Sequence, residues 1–297
     1  MAIKDSNSRK VFNGVNIIFL TLITAICVLP FVHLLALSFS SEMATAAGEV
    51  NLLPKDFSVE AYRFLLQKKD FFRSMGVSVW RVVLGTTISM FLIIITAYPL
   101  SKESLKFKAR TRYVWFFAIT MFFGGGLIPT YMVIKELNLI DTIWALVLPG
   151  ALSVWNIILL LNFFRQIPKE LEEAAVMDGA GQMTILFKIF VPIALPAIAT
   201  LVLFTMVGHW NAWFDGVMYL NTPSKYPLQT YLSTIVLDQN LSNLNSMSPE
   251  QLKRMQEVGN LNLKSAQIFM GALPILCVYP FLQRFFVKGI VVGSVKG

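Results

Sequence analysis

The chain has 297 residues, 56% of them hydrophobic and only 14% charged, with a mean hydropathy of +0.64, a balance that excludes an ordinary soluble domain and marks a membrane protein. The net charge of +8 points to loop topology and not to a nucleic-acid partner. The two cysteines, Cys27 and Cys277, both fall inside apolar runs, so neither a disulfide framework nor a CxxC metal or redox site is indicated.

Six segments are long enough to cross a bilayer, which needs about 20 apolar residues: roughly 16–37, 76–99, 112–134, 142–164, 187–208 and 266–287. The expected fold is therefore an all-α membrane protein with one six-span domain over 16–287, a short segment 1–15 before it and a tail 288–297 after it. Lys4, Arg9 and Lys10 precede the first apolar run, and Ala44-Thr45-Ala46 imitates a signal cleavage site. The run is too long for a signal h-region and ends before those alanines, so an uncleaved first span is expected.

The basic residues set the orientation. Lys4, Arg9 and Lys10 precede span one, and SKESLKFKARTR after span two carries Lys102, Lys106, Lys108, Arg110 and Arg112 against Glu103 alone. Both belong in the cytoplasm, and six spans then place the carboxyl tail there as well. On the outer side, LLPKDFSVEAYRFLL offers Ser58 as the cap of a short helix with Tyr62, Leu65 and Leu66 on one face. Within the outer loop at about 209–265, SPEQLKRMQEVG reads as a second short helix, with Ser248 at the N-cap, Pro249 at the first helical position, Gln251 closing a capping box and Gly259 as the stop. Prolines and glycines punctuate the spans, among them Gly124 to Gly126, Pro149, Pro192 and Pro196, and mark possible kinks.

Between spans four and five the chain interrupts itself with charge, over about 168–184. Pro168 suits a first helical turn, and Glu170, Glu172 and Glu173 follow where acids oppose the positive end of the helix dipole. Leu171, Ala174 and Ala175 form a small apolar stripe, Asp178-Gly179 ends the helix, and a second helix from Gln182 is expected to run straight into span five. Small alanines allow close approach of another surface and exposed acids offer partners to its Arg or Lys, the outline of a knob for a socket. An interfacial linker helix with a solvated acidic face fits the same residues.

Glu173-Ala174-Ala175, three residues, Gly179, nine residues, then Ile189-Phe190-Val191-Pro192 resembles the EAA motif of permease subunits in ATP-binding-cassette (ABC) importers, with Val191 in place of leucine. LPKDFSVEAYRFLL and FFGGGLIPTYMVIKELNLIDTIWALVLP resemble the carbohydrate-uptake class of these permeases, and the ending VVGSVKG resembles the Gly-rich tail of the maltose-transporter subunit that reaches between two ATPases. Within the class the chain looks most like permeases for oligosaccharides and acidic polysaccharide fragments, the alginate importer among them.

That resemblance implies a multi-pass subunit of a bacterial cytoplasmic (inner) membrane, surrounded by lipid and forming half of a sugar path by alternating access. Its implied partners are a second, homologous permease, two ABC ATPase subunits, an extracytoplasmic solute-binding protein and an oligosaccharide. ATP and Mg are expected on the ATPases, with no cofactor, metal or catalytic residue on this chain, which lacks a GxxxxGK[ST] phosphate loop. The residues implied in ATPase coupling are Glu170, Glu172, Glu173, Ala174, Ala175, Asp178, Gly179 and Ala180, with Val295, Lys296 and Gly297 of the tail. In this assignment Glu173 pairs with a basic residue of the ATPase, Ala174 and Ala175 make close contact, and Gly179 supplies a turn that a Cβ hinders.

Candidates for the sugar path are Trp210 and Asn211 in HWNAWFDG, then Tyr131, Trp155 and Asn156, since rings can stack on sugar faces and polar groups can bond hydroxyls. Trp213, in the same stretch, is expected instead in an aromatic belt at the outer interface. Arg81, an ionisable group within span two, is expected either to snorkel at its outer end or to meet a carboxylate of an acidic sugar. The rival readings are a permease for a non-sugar solute and an ion-coupled secondary transporter. The latter normally uses acids or histidines within spans, whereas His33 and His209 lie near span ends.

Overall fold

The computed structural model describes residues 7–103, 107–241 and 261–294, and every regular element among them is helical. It divides into two compact units, Met1–Lys69 with Ile235–Leu273 and Asp70–Thr234 with Pro274–Gly297.

In the first unit, α1 (Asn7–Ser38) follows from an apolar run uninterrupted by Asp, Glu, Lys or Arg after Lys10. Its 32 residues reach about 48 Å at 1.5 Å per residue, more than the roughly 30 Å hydrocarbon core of a bilayer. Phe39 just beyond it stacks on Phe57 and meets the Tyr62 ring at a tilt, and the Ser38 and Tyr62 hydroxyls share a 2.8 Å hydrogen bond. A short helix, α2 (Glu42–Ala46), is capped by Ser41, whose Oγ accepts from the Ala44 N–H. In α3 (Glu60–Gln67) the cap position belongs to Val59 and not to Ser58, although Ser58 Oγ still accepts from the Glu60 N–H at 3.2 Å. Of the apolar face expected there, Leu65 is buried, Tyr62 half-buried and Leu66 exposed.

The second unit is built on α4 (Lys69–Ser101), whose two faces differ in kind. Ser74, Ser78, Arg81, Gly85, Ser89 and Ile93 line its buried face at helical spacing, while Val79, Trp80, Val83 and Phe91 point outward. Small and polar residues inward with bulky apolar ones outward is the pattern of a helix whose solvent is lipid.

The third expected span, 112–134, is not one helix. Strand-like backbone at Phe123 and the glycines that follow part α5 (Arg110–Phe122) from α6 (Leu127–Glu136), with Gly126 at φ 82°, and the two axes meet at 114°. Glycine alone adopts that torsion without strain, so the bend is written into Gly124 to Gly126. The fourth, 142–164, is likewise divided, into α7 (Ile143–Val147) and α8 (Val154–Arg165), by Pro149 and Gly150. A fresh N-cap starts α8, where Ser153 Oγ accepts from the Asn156 N–H.

After α9 (Lys169–Met177), the helix from Gln182 does not run straight into span five. It forms α10 (Gln182–Ile193), turns by 83° at Ala194 and resumes as α11 (Leu195–Asn211). Two prolines permit this. Pro192 withholds its N–H, and the ladder loosens into a π turn over Leu186–Phe190; Pro196, at the second position of α11, has no N–H with which to carry the ladder back across Ala194. Then come α12 (Phe214–Tyr219), α13 (Leu228–Leu241) and α14 (Leu261–Ser294), the last with Pro274 and Pro280 inside it.

Among the described residues three unbroken helices are long and apolar enough to cross a membrane, and up to five crossings result if each bent pair counts as one. The core of the second unit joins α4, α8, α9, α10 and α11, and at its centre Tyr98, Phe164 and Phe190 meet edge to face, with centroids 5.1 to 6.3 Å apart.

Candidate functional site

The helix α9 sorts the expected coupling residues onto two sides. Glu170, Glu173, Ala174 and Asp178 are exposed, at spacings that keep them on one face, whereas Glu172 and Ala175 are buried. Leu171, expected in the apolar stripe, is exposed, and so are Val176 and Met177, so the outward face mixes acids with bare apolar groups.

A closed turn ends the helix. The Gly179 N–H donates to the Val176 carbonyl and the Ala180 N–H to the Ala175 carbonyl, with Gly179 at φ 78°. This is a Schellman cap, which needs a left-handed residue at that place. The space around Gly179 is open, so its requirement is one of torsion and not of crowding. Ala180 beyond it is half-buried.

Glu172 is a correction to the sequence reading. Its carboxylate points into the protein and lies 2.9 Å from Lys102 Nζ, both side chains about 10% exposed. The same ammonium stands over the rings of Tyr98, at 4.0 Å, and Phe190, at 4.2 Å. Tyr98 in turn donates its hydroxyl proton to Gln182 Oε1 at 2.9 Å. Sequence reasoning missed Lys102, Tyr98, Phe190 and Gln182 as a set, because Lys102 belongs to a basic loop that topology alone explains. The nearby Lys169–Glu103 pair is exposed, and its carboxylate holds the Lys169 ammonium above the ordinary lysine range.

Arg81 is a second correction, since its guanidinium does not snorkel. Its side chain is 2% exposed, paired with Asp215 and bonded to the carbonyls of Ala212 and Leu146. The carboxylate it meets thus belongs to this chain. Asp215 opens α12 and also accepts from the Gly216 N–H, and a Cβ at Gly216 would collide with the Thr230 side chain.

The remaining path candidates scatter. Trp210 is buried, Asn211 exposed, and Trp213 and Trp155 are exposed aromatics, while Asn156 is buried in the first turn of α8. Tyr131 is half-buried and stacks on Tyr219, centroids 6.3 Å apart, in a cluster with Ile134 and Leu146. Asp141 pins the same region. With φ 61°, its carboxylate accepts from the N–H groups of Asn221 and Thr222, the Thr222 hydroxyl and the Lys225 ammonium, which hold it well below the usual carboxylate range. Val295, Lys296 and Gly297, and the helix expected from Ser248, lie outside the described residues.

No protein-family profile matches the chain. Two relatives from Bacillus subtilis (strain 168) are each 41% identical: Protein LplC, over 99% of this chain and 97% of its own length, and the polygalacturonan/rhamnogalacturonan transport system permease protein YtcP, over 94% and 96%. Among solved structures, a bacterial ABC transporter involved in the import of the acidic polysaccharide alginate superposes with a TM-score of 0.84 and 31% identity, covering 96% of this chain and all of that one.

Proposed function

Since the chain belongs to the permease subunits of ABC sugar importers, we propose that it works as one of two permeases in a bacterial cytoplasmic membrane. In this reading it crosses the membrane six times, with both termini inside, and pairs with a homologous permease, two ATPases and an extracytoplasmic binding protein. Nucleotide and Mg sit on the ATPases, and this chain turns their closure into movement of its spans. No metal or other cofactor has a role on this chain.

The observation that carries the reading is the two-sided construction of α9. Its outward face offers Glu173 and Ala174 with exposed Met177 and Val176, while Ala175 on its inward face is embedded in the core that joins α4, α8, α10 and α11. A socket that grips the outward face moves a helix already tied to the spans. Glu173 pairs with a basic residue of the ATPase, Ala174 lets the surfaces close, and the Gly179 cap makes helix and turn one stiff piece. ATP and the loaded binding protein both favour the outward-open state, so the cycle is a population shift between two global states.

For the solute we propose oligosaccharides derived from polysaccharides, acidic ones included. The alginate importer and the relative named for polygalacturonan support that class. Arg81 is taken up by Asp215, so any carboxylate on the sugar is met elsewhere.

The deciding experiment is uptake by the reconstituted importer, in vesicles loaded with ATP. Glu173→Lys is expected to abolish ATP-driven uptake, through loss of ATPase binding or of coupling. Uptake at the wild-type rate would sink the lever reading.

A further inference from the structure

Glu172 and Glu173 are neighbours, yet one residue's step around a helix, about 100°, turns them to different faces of α9, one buried and one exposed. Glu173 lies on the outward face with Ala174; Glu172 is buried with Ala175, three positions on. Adjacent acids in the same motif therefore have different surroundings, and the inward one is not needed to meet a partner subunit.

What Glu172 meets is specific. Lys102 follows immediately after α4, and its ammonium is enclosed by three elements: the Glu172 carboxylate of α9 at 2.9 Å, the Tyr98 ring of α4 at 4.0 Å and the Phe190 ring of α10 at 4.2 Å. Tyr98 closes the arrangement by bonding Gln182, the first residue of α10. A cation suits both ring faces, which carry the negative side of the aromatic quadrupole, and it neutralises a carboxylate that has left water. No neutral or acidic side chain does both.

The position matters as much as the chemistry. The two described ion pairs of α9, Glu172–Lys102 and Lys169–Glu103, both run to the two residues just past the end of α4. The second is more than half exposed on both sides and weak for that reason. The first is only about 10% exposed on each side and stands against both rings, on the wall of a pocket that Lys102, Glu172 and Phe190 share with Arg110 and Arg165.

On the lever reading given above, we infer that Lys102 is the positioning residue that fastens the coupling helix to the spans, transmitting movement of α9 jointly to α4 through Tyr98 and to α10 through Phe190. Glu173 faces the motor and Glu172 faces the load. The cation–carboxylate contact holds the two ends in register, and the rings fix the direction of pull.

The test uses the complete importer in vesicles and reads sugar imported per ATP hydrolysed, with subunit co-elution as the check on assembly. The probe is a labelled alginate or galacturonan oligosaccharide, chosen as the one the wild-type importer accumulates. Lys102→Met and Glu172→Gln are each expected to lower the ratio about tenfold, the upper part of the range for residues that carry coupling between sites. Lys102→Arg is expected to stay within about twofold, because a guanidinium both stacks on rings and bonds a carboxylate. The reversal Lys102→Glu with Glu172→Lys is expected not to rescue, since it sets a carboxylate against two ring faces; a simple salt bridge is restored by that swap. Should Lys102→Met fail to assemble, Glu172→Gln decides by the same ratio. A wild-type ratio in these variants beside an uncoupled Glu173→Lys overturns the fastening role and leaves the lever intact, whereas wild-type ratios in all of them, Glu173→Lys included, overturn both.

Discussion

Arg81 reaches Asp215 across 134 positions of sequence, Nη1 donating to one carboxylate oxygen at 3.2 Å and Nη2 to the other, so the contact is bidentate. Nη1 also donates to the Ala212 carbonyl and Nη2 to that of Leu146, and one guanidinium thereby holds α4, α7 and the segment between α11 and α12 together.

The two partners are unequally buried, 2% exposed for Arg81 and 26% for Asp215, and that asymmetry makes the first prediction. Asp215→Asn strands a buried cation and is expected to cost about 3 kcal/mol, at the lower end for breaking a buried pair. Arg81→Met leaves a carboxylate that water and the Gly216 N–H still reach, so it is expected to cost less. Thermal unfolding of the detergent-solubilised subunit, followed by size exclusion, ranks the two variants; the reverse order is incompatible with the pair as described.

Glycines in this chain serve two separate needs, and substitution separates them. Gly179 has open space around it and only the torsion to defend, so Gly179→Ala is expected to cost about 1 kcal/mol and Gly179→Asn less, asparagine being tolerated in the left-handed region. Gly85 has ordinary helical torsions, but a Cβ there would stand 2.6 Å from His209 Cε1, where α4 and α11 approach each other. Gly85→Ala is expected to be the more damaging change in the same unfolding assay, and asparagine there worse still. Equal effects of alanine and asparagine at both sites would contradict the distinction.

Much of this organisation was legible in the sequence. The apolar runs of α1 and α4 show up as length and hydropathy, and the Glu173 to Gly179 spacing announced a helix closed by a turn. The breaks were visible only as candidates. Gly124 to Gly126, Pro149, Pro192 and Pro196 all carried a kink signal, but a Pro30 inside α1 carries the same signal and breaks nothing. What decides is packing: α10 leaves the line of α11 because Ile185, Leu186 and Phe190 are buried in the core with residues of α4 and α8. The partners of Arg81 and Lys102 are hidden in the sequence for a related reason. Snorkelling and topology are local explanations, and neither Asp215 nor Glu172 is near in sequence.

Asp141 supplies a dependence on pH. Its carboxyl is held below the ordinary range, chiefly by the Lys225 ammonium and then by the Thr222 hydroxyl. A group depressed in the folded state contributes stability that is fully present above its unfolded value, about 3.9 for Asp, and is lost as pH falls through the folded value. Asp141→Asn is therefore expected to lower the unfolding midpoint by a constant amount at neutral pH, with the gap to wild type closing only below about pH 4. A gap that closes between pH 7 and 5 would place the titrating group elsewhere.

The two alanines of the motif make the most direct test of which face of α9 is presented. Cys27 and Cys277 are both exposed and free, so they are first replaced by serine to give a background without reactive thiols. Ala174→Cys then stands on the outward face beside Glu173, and Ala175→Cys points into the core. A membrane-impermeant maleimide added to inside-out vesicles is expected to label the first in the isolated subunit and to be blocked once the ATPase is assembled. The second is expected to stay unlabelled in both states, because burial and not the partner protects it. Thiol accessibility follows solvent contact and thiolate formation, and both conditions fail at position 175 for the same structural reason. Labelling at Ala175→Cys but not at Ala174→Cys would mean that α9 is rotated from the orientation that puts Glu172 on Lys102.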